Sequence, residues 1–336
     1  MQKLTKEQII SRVLKVKELD FLPEDILEVI EYQGGLVNYV FQIKTTKGVF
    51  FLKQFLEELK ADVFKGLAIA PQERIQLSYD VETIFEEILG QESNIIPHIY
   101  DYNKIEGYLL IAGLNFDRKL IDEFVGGYFS SWLMIPLAKA LAKIHQSTYQ
   151  NSKKELYNNE WLKLKLKYQY YEMAKLVSGG AGEKIIQLAN NYQNTKLVLV
   201  HGDLGSINIL LENTNKFHLV DFEDAHLGTP AFDLGYLLSE YYIAALYYQN
   251  QTKSIKKMMQ EFLTAYFSVF NKESRVIVEN ETTLHLASML LYRIYGLSKN
   301  AFTTYVNDVT RLTVKERVEL MLKEDDKPVA YFIEKL

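Results

Sequence analysis

The chain has 336 residues, no cysteine and a formal net charge of −5. Its length favours two lobes, and the missing cysteines exclude disulfides and thiolate metal sites and favour a reducing compartment. The acidic balance gives no electrostatic reason to expect nucleic-acid or membrane binding. The sequence contains neither the apolar run of a signal peptide nor a stretch of about 18 apolar residues, so we expect a cytoplasmic protein.

The first third of the chain is predicted to be rich in strands. Short runs of alternating or β-branched apolar residues predict five strands, at 26–32, 39–45, 48–54, 99–103 and 108–112. Apolar residues at helical spacing predict an amphipathic helix over 4–19 and a second helix over 71–89.

After residue 113 the apolar spacing becomes that of helices. We predict helices at 131–145, 158–176, 183–192, 231–246, 254–270, 281–294 and 314–323. A small strand pair, 207–211 and 217–220, interrupts them. The sequence therefore predicts a bilobal α+β protein with a β-rich N-lobe over 1–112 and a helical C-lobe over 113–336.

Polar side chains with a chemically meaningful spacing surround the small strand pair. His201, Asp203 and Asn208 form the pattern H-x-D-x-x-x-x-N, and Asp221 follows the second strand in an Asp-Phe dipeptide. Phosphoryl transfer needs a carboxylate that accepts the proton of the attacking hydroxyl, and oxygen ligands for magnesium. This order of groups is the one used by eukaryotic-type protein kinases.

Residues that could hold a nucleotide lie upstream, in the predicted N-lobe. Lys53 near the end of the third strand is suited to reach the α- and β-phosphates, and Glu82 in the following helix is suited to pair with it. Gly34 and Gly35 between the first two strands would let backbone amides approach phosphate, although hairpin turns also use glycine routinely.

The sequence resembles the aminoglycoside phosphotransferase and choline kinase superfamily of protein-kinase-like small-molecule kinases. The resemblance is carried by His201-Gly202-Asp203-Leu204 with Asn208, then Asp221, and Gly228-x-Pro230-x-x-Asp233-Leu234, and it covers most of the chain.

This resemblance implies a role for each residue of the motifs. Asp203 would be the catalytic base, and Asn208 and Asp221 would bind Mg²⁺. Lys53 and Glu82 would position ATP. His201 would brace the catalytic loop and Asp233 would hold its backbone; a simple helix N-cap is also compatible with Asp233.

Two departures from protein kinases point to a small-molecule acceptor. Gly202 replaces the arginine that would sense a phosphorylated activation loop. The segment 222–232, between Asp221 and Asp233, is too short for an activation segment and a docked protein substrate.

The sequence leaves the acceptor open. Acidic side chains bind polycationic substrates in antibiotic kinases, and four carboxylates could contribute here or simply be solvated: Glu160, Glu223, Asp224 and Glu240. Part of the N-lobe also resembles methylthioribose kinases. Those enzymes, however, carry a histidine where this chain has Gly205, and a paired arginine where it has Arg293 alone.

We therefore predict an ATP- and magnesium-dependent kinase that phosphorylates a hydroxyl of an aminoglycoside-like compound, an amino alcohol or a sugar. The adenine is expected near Ile111 and Gly113, and the acceptor hydroxyl beside Asp203. The alternatives are a catalytically inactive kinase-like binder of a nucleotide or partner and, among kinases, a methylthioribose kinase. The oligomeric state and the choice between ATP and GTP stay open.

Overall fold

The computed structural model describes residues 2–32, 37–60, 70–150, 160–297, 299 and 303–336, without the side chains of 160 and 161. It divides the chain into two compact units. Unit 1 comprises Met1–Phe116 and His218–Glu223, and unit 2 comprises Asp117–Phe217 and Asp224–Leu336. The sequence placed a boundary after residue 112; the structure ends the first part of unit 1 at Phe116 and adds a short segment from far along the chain.

Unit 1 contains an antiparallel sheet of five strands in the order β1-β2-β3-β5-β4. Its strands are β1 (Ile26–Glu31), β2 (Tyr39–Thr45), β3 (Gly48–Gln54), β4 (Ile99–Asn103) and β5 (Tyr108–Ala112). The first helix, α1 (Lys6–Val13), is shorter than predicted and packs its buried Ile9 and Val13 in a core with residues of the sheet.

The hairpin between β2 and β3 sets the position of Lys53. Gly48 has φ +135°, a conformation that side chains disfavour, and Thr45 Oγ1 donates to its carbonyl oxygen over 2.9 Å. In β3, Phe50, Leu52 and Gln54 are buried. Because side chains alternate along a strand, Lys53 lies on the opposite face of the sheet from Leu52.

Helix α2 (Pro71–Leu89) matches its predicted bounds and supplies Glu82. Ile75 packs with Phe55 and Leu109 in a small core. Glu82 follows Ile75 by two helical turns and therefore shares its buried face, although it is a carboxylate.

Unit 2 is mainly helical. Its helices are α3 (Leu120–Gly126), α4 (Met134–Thr148), α5 (Glu160–Lys165), α6 (Glu172–Ala174), α7 (Gly180–Tyr192), α8 (Pro230–Tyr247), α9 (Thr252–Phe267), α10 (Lys272–Tyr295), α11 (Asp308–Lys323) and α12 (Val329–Glu334). A π-helix, Leu166–Tyr171, follows α5 directly and interrupts the single helix predicted over 158–176. Such π-helical turns are frequent at functional sites.

Short strands flank the motif of His201, Asp203 and Asn208. They are β6 (Arg118–Lys119), β7 (Val198–Val200), β8 (Ile209–Leu211), β9 (Phe217–Leu219) and β10 (His226–Gly228). The antiparallel pair β7–β10, which the sequence analysis missed, brackets the motif in the chain. The division between the two units falls within β9.

Helix α8 is the centre of unit 2 because nearly all of its residues are buried. It packs closely against α10: a Cβ on Gly235 would lie 2.8 Å from the backbone nitrogen of Leu286. Among the described helices, none combines the length and apolar character required to cross a bilayer.

Candidate active site

The loop after β7 carries Asp203. Gly202 has φ +82°, and a Cβ at this position would lie 2.0 Å from the backbone carbonyl oxygen of Asp224. Only glycine satisfies both demands. The loop therefore needs glycine at the position where protein kinases have arginine, independently of any regulatory role.

Asp233, at the start of α8, holds this loop by its backbone. Its Oδ2 accepts a hydrogen bond from the His201 N–H at 2.8 Å, and its Oδ1 accepts one from the Gly202 N–H at 3.1 Å. His145 Nε2 lies 3.2 Å from Oδ2. Burial raises the pKa of Asp233, but His145 and His201 outweigh burial and hold it below the ordinary value. An ionised, buried carboxylate thus fixes the loop.

Three groups orient Asp203. Its backbone N–H donates to His201 Nδ1 at 3.3 Å, Asn208 Nδ2 donates to its Oδ2 at 2.8 Å, and the Tyr236 hydroxyl donates to its Oδ1. Burial raises the pKa of Asp203, yet Lys165, Tyr236 and Arg293 together hold it below the ordinary value. Asp203 is therefore ionised at neutral pH.

Asn208 ends a 3₁₀ turn, Ser206–Asn208, immediately before β8. Its Nδ2 donates both to the carboxylate and, at 2.8 Å, to the backbone oxygen of Asp203. The amide nitrogen is used in these two bonds, so the oxygen Oδ1 is the atom available to ligate a metal.

Two cations surround Tyr236, which the sequence analysis did not single out. The guanidinium carbon of Arg293 lies 4.2 Å from the centroid of its ring, and Lys165 Nζ lies 5.8 Å from that centroid. Tyr236 follows Asp233 by three residues and so lies on the same side of α8. That helical spacing was the signal that could have identified it.

In unit 1, Lys53 pairs with Asp221. Lys53 Nζ lies 2.5 Å from Asp221 Oδ1. Burial lowers the pKa of Lys53, but the carboxylates of Asp221 and Glu223 outweigh burial and raise it above the ordinary value. Asp221 itself has φ +71°, a left-handed conformation that costs energy in a residue other than glycine and is common at functional sites.

Glu82 lies near this pair without joining it. The sequence predicted a Lys53–Glu82 ion pair. In the structure the described contacts of Lys53 include Asp221 instead, and Glu82 Oε2 is buried without a hydrogen-bond partner among the described residues. Burial raises the pKa of Glu82 to about 8. Glu82 is therefore mostly neutral at pH 7, and a neutral carboxyl attracts a lysine less than a carboxylate does.

The residues after Asp221 are anchored in the core of unit 1. Phe222 is fully buried and contacts Phe85 edge-on, with the ring centroids 5.5 Å apart. Glu223 accepts a hydrogen bond from Asn38 Nδ2 at 2.8 Å and lies 3.5 Å from Arg74 Nη1. This buried network, which the sequence analysis did not foresee, fixes the backbone on which Asp221 stands.

The candidate acidic substrate contacts are each paired with a buried cation. Glu223 pairs with Arg74, as described. Asp224 Oδ2 lies 2.8 Å from Lys165 Nζ, and Glu240 Oε1 lies 2.6 Å from Arg293 Nη2. Glu223 and Glu240 are themselves buried. Gly34, Gly35 and the side chain of Glu160 lie outside the described residues.

Ile111 and Gly113 lie at the end of β5 and directly after it. The Gly113 N–H donates to the Val49 carbonyl oxygen at 2.9 Å, and a Cβ on Gly113 would lie 2.0 Å from that oxygen. Glycine is required here because the backbone of Val49 approaches so closely.

The donor groups suit magnesium. An aspartate carboxylate and an amide oxygen are hard ligands, and Mg²⁺ in nucleotide sites commonly takes one or two protein ligands besides water and phosphate. Within the described ranges no cluster of three or more His, Asp or Glu side chains forms a metal cage. Asp221 in unit 1 and Asn208 in unit 2 thus each present an oxygen of the type that magnesium takes as a ligand.

Residues 130–266, which include Asp203, Asn208 and Asp221, match the model of the phosphotransferase enzyme family. Among curated protein sequences, no match was found. The match agrees with the superfamily resemblance of the sequence, and it spans less than half of the chain.

Solved structures confirm the kinase-like α+β fold. An ethanolamine kinase from Plasmodium vivax has a TM-score of 0.58 and 16% identity, covering 96% of this chain and 91% of that one. A choline/ethanolamine kinase family protein from Mesorhizobium loti has a TM-score of 0.54 and 16% identity, covering 98% of both chains. Identities this low establish a shared fold and nothing finer.

Proposed function

We propose that the protein transfers the γ-phosphoryl group of ATP to a hydroxyl of a small acceptor, with Asp203 as the catalytic base and Asn208 and Asp221 as magnesium ligands. The observation that carries this proposal is the state of Asp203. It is an ionised carboxylate, oriented through both oxygens, on a loop that Asp233 clamps by its backbone. We place this activity in the cytoplasm, as the cysteine-free composition favours.

The reaction requires little covalent chemistry from the protein. Asp203 accepts a hydrogen bond from the acceptor hydroxyl and takes its proton as the oxygen–phosphorus bond forms. The Asn208 amide keeps the carboxylate oriented by donating to Oδ2. When bound, magnesium would neutralise charge on the phosphate oxygens.

Lys53 and Asp221 are the groups of unit 1 assigned to the nucleotide. The lysine would contact phosphate oxygens, and the aspartate would ligate the metal that those phosphates carry. Their direct ion pair supports this assignment, because it shows that the two side chains reach the same point. Glu82 is close enough for its ionised form to raise the pKa of Lys53, and in that form it would pair with the lysine once Asp221 has taken the metal.

The ion pairs made by the candidate acidic residues favour an acceptor that does not carry several positive groups. Glu223, Asp224 and Glu240 each already face a cation. Binding a polycation through them would require breaking ion pairs that are largely buried, which is costly. Sugars and other neutral hydroxyl compounds are therefore the first acceptors to assay, before amino alcohols and aminoglycosides.

The test is phosphorylation with radiolabelled ATP across a panel of sugars, amino alcohols, methylthioribose, homoserine and aminoglycosides. We expect Asp203→Ala to abolish transfer while ATP binding by calorimetry stays within about threefold of wild type, since the base does not hold the nucleotide. A folded Asp203→Ala protein with wild-type turnover would refute the assignment. ATP binding without turnover of any acceptor would instead indicate an inactive kinase-like binder.

A further inference from the structure

Lys165 is a buried cation for which the catalytic motifs provide no role. It is the last residue of α5, immediately before the π-helix, and its relative exposure is 7%. Burial lowers its pKa, but the carboxylates of Asp224 and Asp203 outweigh burial and raise it above the ordinary value. Lys165 is therefore charged throughout the working pH range.

Its position is fixed relative to the catalytic loop. Lys165 Nζ lies 2.8 Å from Asp224 Oδ2. The Asp224 carbonyl oxygen accepts a hydrogen bond from His226 Nδ1 at 2.8 Å and is the atom that packs against Gly202. The ammonium group is thus tied to a residue that touches the loop next to Asp203.

Tyr236 links the cation to the base. Lys165 Nζ lies 5.8 Å from the centroid of its ring, and its hydroxyl donates to Asp203 Oδ1. One aromatic side chain therefore contacts both charged groups. An acceptor oxygen that is hydrogen-bonded to Asp203 lies in the field of this ammonium group.

That placement determines what the cation can act on. The oxygen held at Asp203 becomes bonded to the transferred phosphorus, so the phosphoryl group must arrive beside Asp203 whatever the direction of its approach. Fixed cations at the place where charge is redistributed during phosphoryl transfer stabilise the transition state.

We propose that Lys165 is a further catalytic residue, whose ammonium group stabilises the phosphoryl group as it reaches the acceptor oxygen. The step is balanced: the acceptor O–P bond forms, the bond from the γ-phosphorus to the β–γ bridging oxygen breaks, the hydroxyl proton passes to Asp203, and ADP leaves. The proposal rests on the proposed function of Asp203.

A purely structural ion pair is the alternative, and a neutral pair distinguishes the two. Lys165→Met alone would leave Asp224 without its cation and could destabilise the loop. Lys165→Met combined with Asp224→Asn removes both charges of the pair and leaves neither of these two partners stranded. Because Lys165 also lowers the pKa of Asp203, rates are compared over a pH profile that keeps Asp203 ionised. If the pair serves only the fold, this double variant retains activity; if the cation acts on the phosphoryl group, it does not.

The experiment measures magnesium-dependent ATP hydrolysis, with water as the acceptor, and calorimetric binding of ADP with Mg²⁺ in the presence and absence of aluminium fluoride. The comparison includes wild type, the double variant, Lys165→Arg, Asp203→Ala and the exposed control Lys163→Met. The melting temperature of each protein is measured first, to show that each variant is folded. Aluminium fluoride with ADP mimics the phosphoryl group in transfer, so its added affinity reports stabilisation of that group independently of turnover.

We expect the double variant to lose about 100-fold in the hydrolysis rate and most of the added affinity for aluminium fluoride, with ADP binding unchanged. Lys165→Arg should recover part of both, and Lys163→Met should match wild type. A folded double variant within threefold of wild type in rate and in added affinity would overturn the role of Lys165. Wild-type hydrolysis by Asp203→Ala would instead refute the proposed function.

Discussion

The hydroxyl of Tyr236 donates a hydrogen bond to Oδ1 of Asp203, and this bond joins the centre of helix α8 to the candidate base. Asp233, one helical turn earlier on α8, holds the backbone of the loop that carries Asp203. A single buried helix thus fixes both the loop and the direction of its carboxylate. Shifts of α8 should consequently appear first as changes in turnover.

Tyr236→Phe is expected to lower turnover about 10- to 100-fold and to leave the KM for ATP unchanged. The change removes one hydrogen bond to a charged group, and such bonds contribute about 1.5–3 kcal/mol. Steady-state kinetics on the best acceptor measure the effect. Tyr241→Phe on the same helix is the control, because the Tyr241 hydroxyl is buried and has no hydrogen-bond partner in the part of the chain that the structure describes. Equal losses in both variants would contradict a role for the Asp203 contact.

Gly202→Ala should lower the free energy of unfolding by about 2–4 kcal/mol, since the new Cβ meets the Asp224 carbonyl at 2.0 Å and the residue must keep φ +82°. Chemical denaturation measures the loss. Gly180→Ala in α7 has open space around its Cβ, and helix propensity predicts an unchanged or slightly raised stability. A Gly202→Ala protein as stable as wild type would show that the loop adopts another conformation.

Glu82 should make the protein less stable as pH rises. Its pKa is about 8 in the folded protein and about 4.5 when unfolded, so the folded state binds more protons between these values. The stability of wild type relative to Glu82→Gln should fall between pH 5 and 8 by at most about 1.4 kcal/mol per pH unit.

Urea denaturation at several pH values tests this expectation in the absence of nucleotide. Glu87→Gln, an exposed carboxylate on the same helix, controls for the general effect of removing a charge. A difference between wild type and Glu82→Gln that does not change with pH would mean that Glu82 is not preferentially protonated in the folded protein.

Asp221→Asn is expected to weaken binding of magnesium–ADP at least tenfold, because an amide replaces a charged metal ligand. Binding of ADP in EDTA should be equal to wild type or tighter, since Lys53 loses its ion pair and is free to contact phosphate. Calorimetry under both conditions measures the contrast. Asp20→Asn is the matched control, because Asp20 is an exposed aspartate of unit 1 that also has a positive φ, +44°. Equal weakening with and without magnesium would argue against a metal role.

The sequence predicted those features that depend on short spacing. Apolar alternation located β2 and β3 with their observed bounds, and the spacing of the motif singled out Asp203, Asn208 and Asp221. What it missed depends on residues that are distant in the chain. Lys165, for example, is one lysine among many until the fold sets it against Asp224.

Charge states were also outside the reach of the sequence. The sequence does not distinguish Glu82 from an exposed glutamate. Its burial in the fold is what makes the neutral form preferred. The predicted Lys53–Glu82 pair assumed two charged partners. In the structure the lysine pairs with Asp221 instead, whose Oδ1 lies 2.5 Å from Lys53 Nζ.

Unit 1 is built from two segments that are distant in the chain, and this constrains the order in which the chain can fold during synthesis. His218–Glu223 is part of this unit, and it contributes the Phe222 ring against Phe85 and the Glu223 carboxylate to Arg74. A ribosome makes residues 117–217 before it reaches this segment. We therefore expect that the core around the N-terminal sheet stays incomplete until a long stretch of unit 2 has left the ribosome.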